Sequence, residues 1–164
     1  MARPCRLSTN SGDSATTAYD PWTCVDASVA VKWLLDEDDR DRAFRLRSDV
    51  KRSGGSFVAP PHFLVEASSA IYKRLQQQRV SLSEALDLVE ELENIPVERM
   101  LPPALHRRAF EIAAQFNLKW IYDAFYVALA EIVGCDLWTA DEALHAAVGG
   151  AHANVRLLSE YPLV

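Results

Sequence analysis

Two short apolar runs, Trp22-Thr23-Cys24-Val25 and Leu137-Trp138-Thr139-Ala140, each lead directly into an aspartate, Asp26 and Asp141. Runs of that length, rich in aromatic and β-branched residues, read as buried strands, so each aspartate falls at a strand's C-terminal end. Two further acids, Glu66 and Asp123, lie inside apolar helical patterns, where an unpartnered carboxylate costs several kcal/mol or shifts its pKa upward. In an open parallel sheet ligands bind beyond the C-terminal edge. Four carboxylates converging there would repel one another unless a cation held them, and hard oxygen ligands of this kind select Mg²⁺ or Mn²⁺.

The rest of the chain fits a parallel α/β arrangement. A strand over 22–26 is followed by a helix from Ser28 to Leu35, an acidic turn at Asp36 to Asp39 and a helix over Arg40 to Arg52 that stops at Gly54-Gly55. The strand Ser56-Phe57-Val58-Ala59 stops at Pro60-Pro61, and proline is tolerated in the first turn of the helix expected from His62 to Gln78. Ser81 and Glu84 have capping-box spacing and open another helix with Leu82, Ala85, Leu86, Val89 and Leu92 as its apolar stripe. A strand over Val97 to Met100, helices over Pro103 to Phe116 and Ile121 to Val133, a strand over Asp136 to Thr139, a helix over Glu142 to Val148 and a strand over Val155 to Leu158 complete the series. Strands alternating with helices imply α/β with a mainly parallel central sheet.

Each acid has a plainer alternative. Asp26 and Asp141 precede helices and suit N-caps, Asp123 suits capping near the start of its helix, and Glu66 could pair with Lys73 or another cation at the core's edge. Ser28 could be only a first-turn residue, or could hold a metal-bound water or a phosphate oxygen at a helix N-terminus, and Thr139 could be a strand residue or a hydroxyl that supports the ligands. Glu142, Asp136 and Glu131 read as surface acids. His62, His106, His145 and His152 lack metal-ligand spacing, and no glycine-rich phosphate loop follows a strand. Trp33, Trp120 and Trp138 read as core rather than as base-stacking platforms.

Composition narrows the function classes. The 17 Lys and Arg residues stand against 23 Asp and Glu, a net charge of -6, which argues against a protein that coats nucleic acid but not against a nuclease whose charge is supplied by metal. Arg40, Arg42, Arg45, Arg47, Lys51 and Arg52, or Lys73, Arg74 and Arg79, are candidates for a steering patch or for solvated helix faces. No apolar run approaches the roughly 20 residues that span a bilayer. Residues 1–20 are polar and aperiodic, which predicts a disordered extension ahead of a domain over 21–164. Arg3 and Arg6 are followed by no apolar segment, so no secretory signal is expected. Cys5, Cys24 and Cys135 lack metal or disulfide spacing, and a cytoplasmic location is expected.

Four segments resemble, in order, the acidic motifs of PIN-domain nucleases: Val25-Asp26-Ala27-Ser28-Val29-Ala30-Val31-Lys32-Trp33, Val65-Glu66-Ala67, Tyr122-Asp123-Ala124-Phe125-Tyr126-Val127-Ala128-Leu129-Ala130, and Thr139-Ala140-Asp141. The resemblance covers about residues 22–160 and is greatest to VapC-type ribonuclease toxins of toxin–antitoxin pairs. It departs from the family pattern in the N-terminal extension and in Lys119-Trp120-Ile121, where many relatives carry a small polar residue. The resemblance implies a three-layer α/β/α sandwich and metal-dependent cleavage of RNA, leaving a 5′ phosphate and a 3′ hydroxyl. Asp26, Glu66, Asp123 and Asp141 would bind one or two Mg²⁺ or Mn²⁺ ions, with Ser28 and Thr139 orienting the ligands. It also implies a homodimer and an antitoxin bound over the helices spanning 62–93, blocking the site with a basic side chain. Among rivals, a phosphatase lacks its Asp-x-Asp, a receiver-like signalling module would pair Asp26 with Lys32, and a catalytically silent RNA-binding protein would have no need of all four acids.

Overall fold

The computed structural model describes residues 22–152 and 154–163. The expectation for residues 1–20 lies outside them. Five strands, β1 (Trp22–Val25), β2 (Ser56–Ala59), β3 (Val97–Arg99), β4 (Leu137–Thr139) and β5 (Val155–Leu157), form one sheet in the order β3-β2-β1-β4-β5. Every pairing is parallel. Seven helices occur among the described residues: α1 (Ala27–Leu34), α2 (Arg40–Arg52), α3 (Phe63–Gln76), α4 (Leu82–Glu93), α5 (Leu105–Phe116), α6 (Ile121–Val133) and α7 (Glu142–Val148). Helices α1 to α4 pack as one group and α5 with α6 as another, giving the three layers of an α/β/α sandwich.

The strand order decides where a site can form. From β1 the chain steps outward to β2 and β3, then returns to place β4 on the other side of β1. Right-handed crossovers send the two sets of helices to opposite faces. The strand order therefore reverses between β1 and β4, and a crevice opens beyond their C-terminal ends. The register Cys24↔Leu137 and Val25↔Trp138 brings both ends level, and the Asp26 amide donates to the Trp138 carbonyl at 3.2 Å.

Local chemistry explains the element ends. The Ser81 hydroxyl accepts from the Glu84 amide while the Glu84 carboxylate accepts from the Ser81 amide, the reciprocal box expected at the start of α4. Helix α6 stops at Gly134, whose φ of 81° places it in the left-handed region where a Cβ is costly. The fifth helix starts later than its proline suggests, at Leu105, because Ala104 takes a φ of 70° and breaks the turn from Pro103. The core under the sheet's centre is apolar: Val25, Val29, Ala30, Phe63, Ala67, Ala124, Val127, Leu129 and Leu137 are buried. The described residues include two buried polar side chains, Asp26 and Thr139.

Two expectations change with the structure in view. Trp33 is buried and Trp138 half-buried, but Trp120 is 57% exposed, so it is not a core residue. The basic residues of α2 are largely paired: Arg40 with Asp36, Arg42 with Asp39, and Arg45 and Arg52 with Asp49. Arg74 on α3 is held by Glu37 at 2.5 Å. Pairing of this kind makes a mixed-charge helix surface rather than a cationic track for a polyanion.

Candidate active site

Asp26 leaves β1 in extended conformation and caps α1, its Oδ1 accepting from the Val29 amide at 3.2 Å. The Ser28 hydroxyl donates to the same oxygen, and the Thr139 hydroxyl donates to Oδ2. These two hydroxyls tie the neighbouring strand ends together. Ser28 Oγ accepts from the Ala140 amide at 2.8 Å, and Thr139 Oγ1 accepts from the Asp141 amide at 2.9 Å. Asp141 in turn caps α7, with Oδ1 accepting from the amides of Ala143 and Leu144 at 2.8 and 3.0 Å. The capping alternatives for Asp26 and Asp141 are thus realised. Capping occupies one oxygen of Asp141 and fixes both residues at the mouth of the crevice.

Burial raises the Asp26 carboxyl to about 6, against hydrogen bonds from Ser28, Thr139 and Val29 that lower it, with Glu66 adding a small repulsion. Asp123, in the first turn of α6, is half-buried and is likewise raised to about 6, first by burial, then by the charges of Asp141 and Glu66. Among the described residues its carboxylate receives no hydrogen bond, so no donor among them offsets its desolvation. The capping alternative for Asp123 is not realised, because Trp120 is the N-cap residue of α6.

Glu66 rises from the first turn of α3 with its side chain 37% exposed. Its partner is not Lys73, which is exposed and forms no ion pair among the described residues. Instead the buried Tyr126 hydroxyl donates to Glu66 Oε2 at 2.6 Å. Burial pushes the Tyr126 phenol well up, and Glu66 reinforces the shift, so the phenol remains a donor across the physiological range. His62 Nε2 stands 3.7 Å from Glu66 Oε2, and the ring packs edge-on against Tyr126 and Phe125. Burial lowers the His62 pKa against the pull of Glu66, leaving the imidazole neutral at pH 7 rather than ion-paired.

Tyr126 and His62 are the contributors that the sequence reading passed over. Helical spacing places Tyr126 one turn beyond Asp123 on α6 and His62, the N-cap residue of α3, four residues before Glu66, but that Tyr126 meets Glu66 follows from how α3 and α6 pack and not from either helix alone.

Asp26, Glu66, Asp123 and Asp141 thus come from four separate segments to one end of the sheet, where their charges act on one another. Among the described residues no three His, Cys, Asp or Glu side chains are arranged to hold an ion together by protein atoms alone. The donor set still fits Mg²⁺ or Mn²⁺. Mg²⁺ typically keeps several waters and takes one or two protein carboxylates directly, and all four groups present are hard oxygen donors. Asp123, which receives no hydrogen bond among the described residues, would gain most from such an ion.

The PIN domain family model matches residues 23–150. The chain belongs to the PIN-domain family. It is 35% identical over 129 residues to Ribonuclease VapC3 of Mycobacterium tuberculosis, covering 79% of this chain and 89% of that protein. It is 33% identical over 136 residues to Ribonuclease VapC12 of the same organism, covering 82% and 98%. The fold is similar to the crystal structure of Mycobacterium tuberculosis VapC20, titled a sarcin-ricin loop cleaving toxin, with a TM-score of 0.59 at 16% identity over 82% of this chain and 98% of that one.

Proposed function

We propose that this protein is a Mg²⁺- or Mn²⁺-dependent endoribonuclease and the toxin of a toxin–antitoxin pair. The observation that carries the chemistry is Asp123, a half-buried carboxylate with no hydrogen-bond donor among the described residues, raised to about 6 beside Asp141 and Glu66. Such a group is poorly explained by stability and well explained by a positively charged ligand. Its likeness to VapC3 and VapC12 supports RNA as the substrate.

In this reading Asp26, Glu66, Asp123 and Asp141 hold the ion, and Ser28 and Thr139 fix the Asp26 carboxylate from both sides. When bound, the ion supplies a water of lowered pKa and neutralises charge on the phosphate during in-line displacement. Tyr126 keeps Glu66 facing the crevice. The products carry a 5′ phosphate and a 3′ hydroxyl.

A homodimer and a cognate antitoxin complete the proposal, with the cytoplasm as its compartment. Val65 and Tyr72 on α3 and Leu82 and Leu86 on α4 are all more than half exposed. Apolar side chains left open on adjoining helices suit a protein partner over residues 62–93. No helix among the described residues is long and apolar enough to cross a membrane. The receiver-like alternative is disfavoured by Lys32, whose ammonium sits 3.5 Å from Glu37 instead of serving Asp26.

The test is cleavage of single-stranded RNA by purified protein with Mg²⁺ or Mn²⁺ and with excess EDTA. Cleavage is expected only with metal, and only with the antitoxin absent. Cleavage at full rate in excess chelator overturns the metal-dependent reading.

A further inference from the structure

The N-cap position of α6 is occupied by Trp120, in extended conformation and without any side-chain hydrogen bond to the helix. Serine, threonine, aspartate or asparagine there would satisfy an orphan amide, and tryptophan cannot. The indole is not recompensed by burial either, since Trp120 is 57% exposed. Two residues on, Tyr122 is 53% exposed. A chain that forgoes a helix cap to hold a large aromatic ring in solvent has placed that ring for something to cover it.

Three observations say what covers it. First, the position: Trp120 is the residue from which α6 starts, three positions before Asp123, and Tyr122 is the sequence neighbour of Asp123. Second, the surface is continuous with the acids, because the Tyr122 ring packs 5.8 Å from the His62 ring, whose Nε2 is 3.7 Å from Glu66. Third, the charge: the Lys119 ammonium sits 5.3 Å from the Trp120 ring centroid and forms no ion pair among the described residues. Exposed aromatic rings beside a cation, at the rim of a phosphodiester-cleaving centre, are the elements of a single-strand platform. Bases stack on the rings and the ammonium meets a phosphate.

We infer that Trp120 and Tyr122 form a stacking platform for unpaired bases flanking the cleaved RNA bond, with Lys119 on the adjoining phosphate. The inference rests on the ribonuclease reading above and adds a requirement to it. The substrate must present unstacked bases at the cut, because a base paired inside a duplex cannot offer its face to the indole. The platform is sequence-tolerant, since every base has a π face, so it selects for single-strandedness rather than for one sequence.

The decisive variant is Trp120→Ser, which installs a helix cap while removing the ring. Its melting temperature is expected to equal or exceed the parent's. Its KM for a single-stranded RNA should rise about tenfold or more with kcat within about twofold, in keeping with the loss of a stacked base. In EDTA, its affinity for a short fluorescein-labelled single-stranded RNA should fall by a similar factor, while affinity for the matching duplex is unchanged. Trp120→Phe, which keeps a stacking face, should recover most of the loss. An unchanged KM in Trp120→Ser with an active parent overturns the platform and leaves the ribonuclease reading intact. Equal weakening for single strand and duplex also overturns it, as does a change in oligomeric state by light scattering, which would make Trp120 a contact between protein chains. A parent that neither cleaves nor binds RNA removes both readings together.

Discussion

Asp26 shows how one residue can satisfy a structural rule and still belong to the site proposed for it. Its N-cap geometry is what the sequence context suggests, but a cap at the surface has no need of burial. This one is buried and raised to about 6. Between the ordinary value near 4 and that raised value the folded chain binds the proton more tightly than the unfolded chain. The associated stability is full below about pH 4 and is lost as pH rises through about 6. In metal-free buffer Asp26→Asn should therefore gain melting temperature relative to the parent as pH rises from about 4 to about 7. The amide keeps Oδ1 for Val29 and Ser28 and can donate to Thr139 in place of the bond it loses. A difference between variant and parent that does not change with pH counts against the raised carboxyl. Asp123→Asn should abolish cleavage with the melting temperature held or raised, since it removes a like charge beside Asp141 and Glu66.

Tyr126 and Glu66 mark the limit of legibility at the same scale. Glu66 could be singled out from its apolar neighbours, yet its partner was sought among cations because ion pairing is the commoner fate of such a residue. Which phenol or ammonium reaches it depends on how α3 and α6 pack, and no pattern local to either helix encodes that. Tyr126→Phe should lower the rate of cleavage and weaken Mg²⁺ binding while costing the fold about 1 kcal/mol or less, because Glu66 is open enough for water to replace the lost donor. Equal metal affinity in variant and parent would reduce Tyr126 to a packing residue.

Elements were more legible than side-chain partners. The strands at 56–59 and 97–99 and the helices at 40–52, 82–93, 121–133 and 142–148 stand within a residue or two of their expected positions, because each carries its own signals: an apolar period, a Ser81–Glu84 box, a Gly54-Gly55 stop. Helix α5 starts two residues after the expected Pro103 because Ala104 in a left-handed conformation is unmarked in sequence. The strand order, and with it the reversal between β1 and β4, is set by crossover handedness and long-range pairing. It was reachable from resemblance and not from periodicity. At this scale the far end of α6 provides a control. Gly134→Ala should cost about 1 kcal/mol through the φ of 81° while leaving cleavage unchanged, since Gly134 lies about 16 Å along the helix from Asp123. A variant that lost activity while still folded would mean that α6 transmits strain to its first turn.

For the whole molecule, a net charge of -6 and largely paired arginines leave little general attraction for a polyanion. On the proposed reading, capture of RNA would fall to the ion and to the rim beside it, which predicts that metal and nucleic acid depend on each other. The acids exist as a set only in the folded state, so an ion they hold must stabilise that state. The most direct measurement is thermal or urea unfolding of the parent and of the Asp26→Asn, Asp123→Asn double variant, each with and without Mg²⁺. At about 100 times the dissociation constant the parent should gain about 2.7 kcal/mol and the double variant nothing. An equal gain in both would show the ion acting elsewhere on the protein, and would contradict a metal centre at the end of β1 and β4.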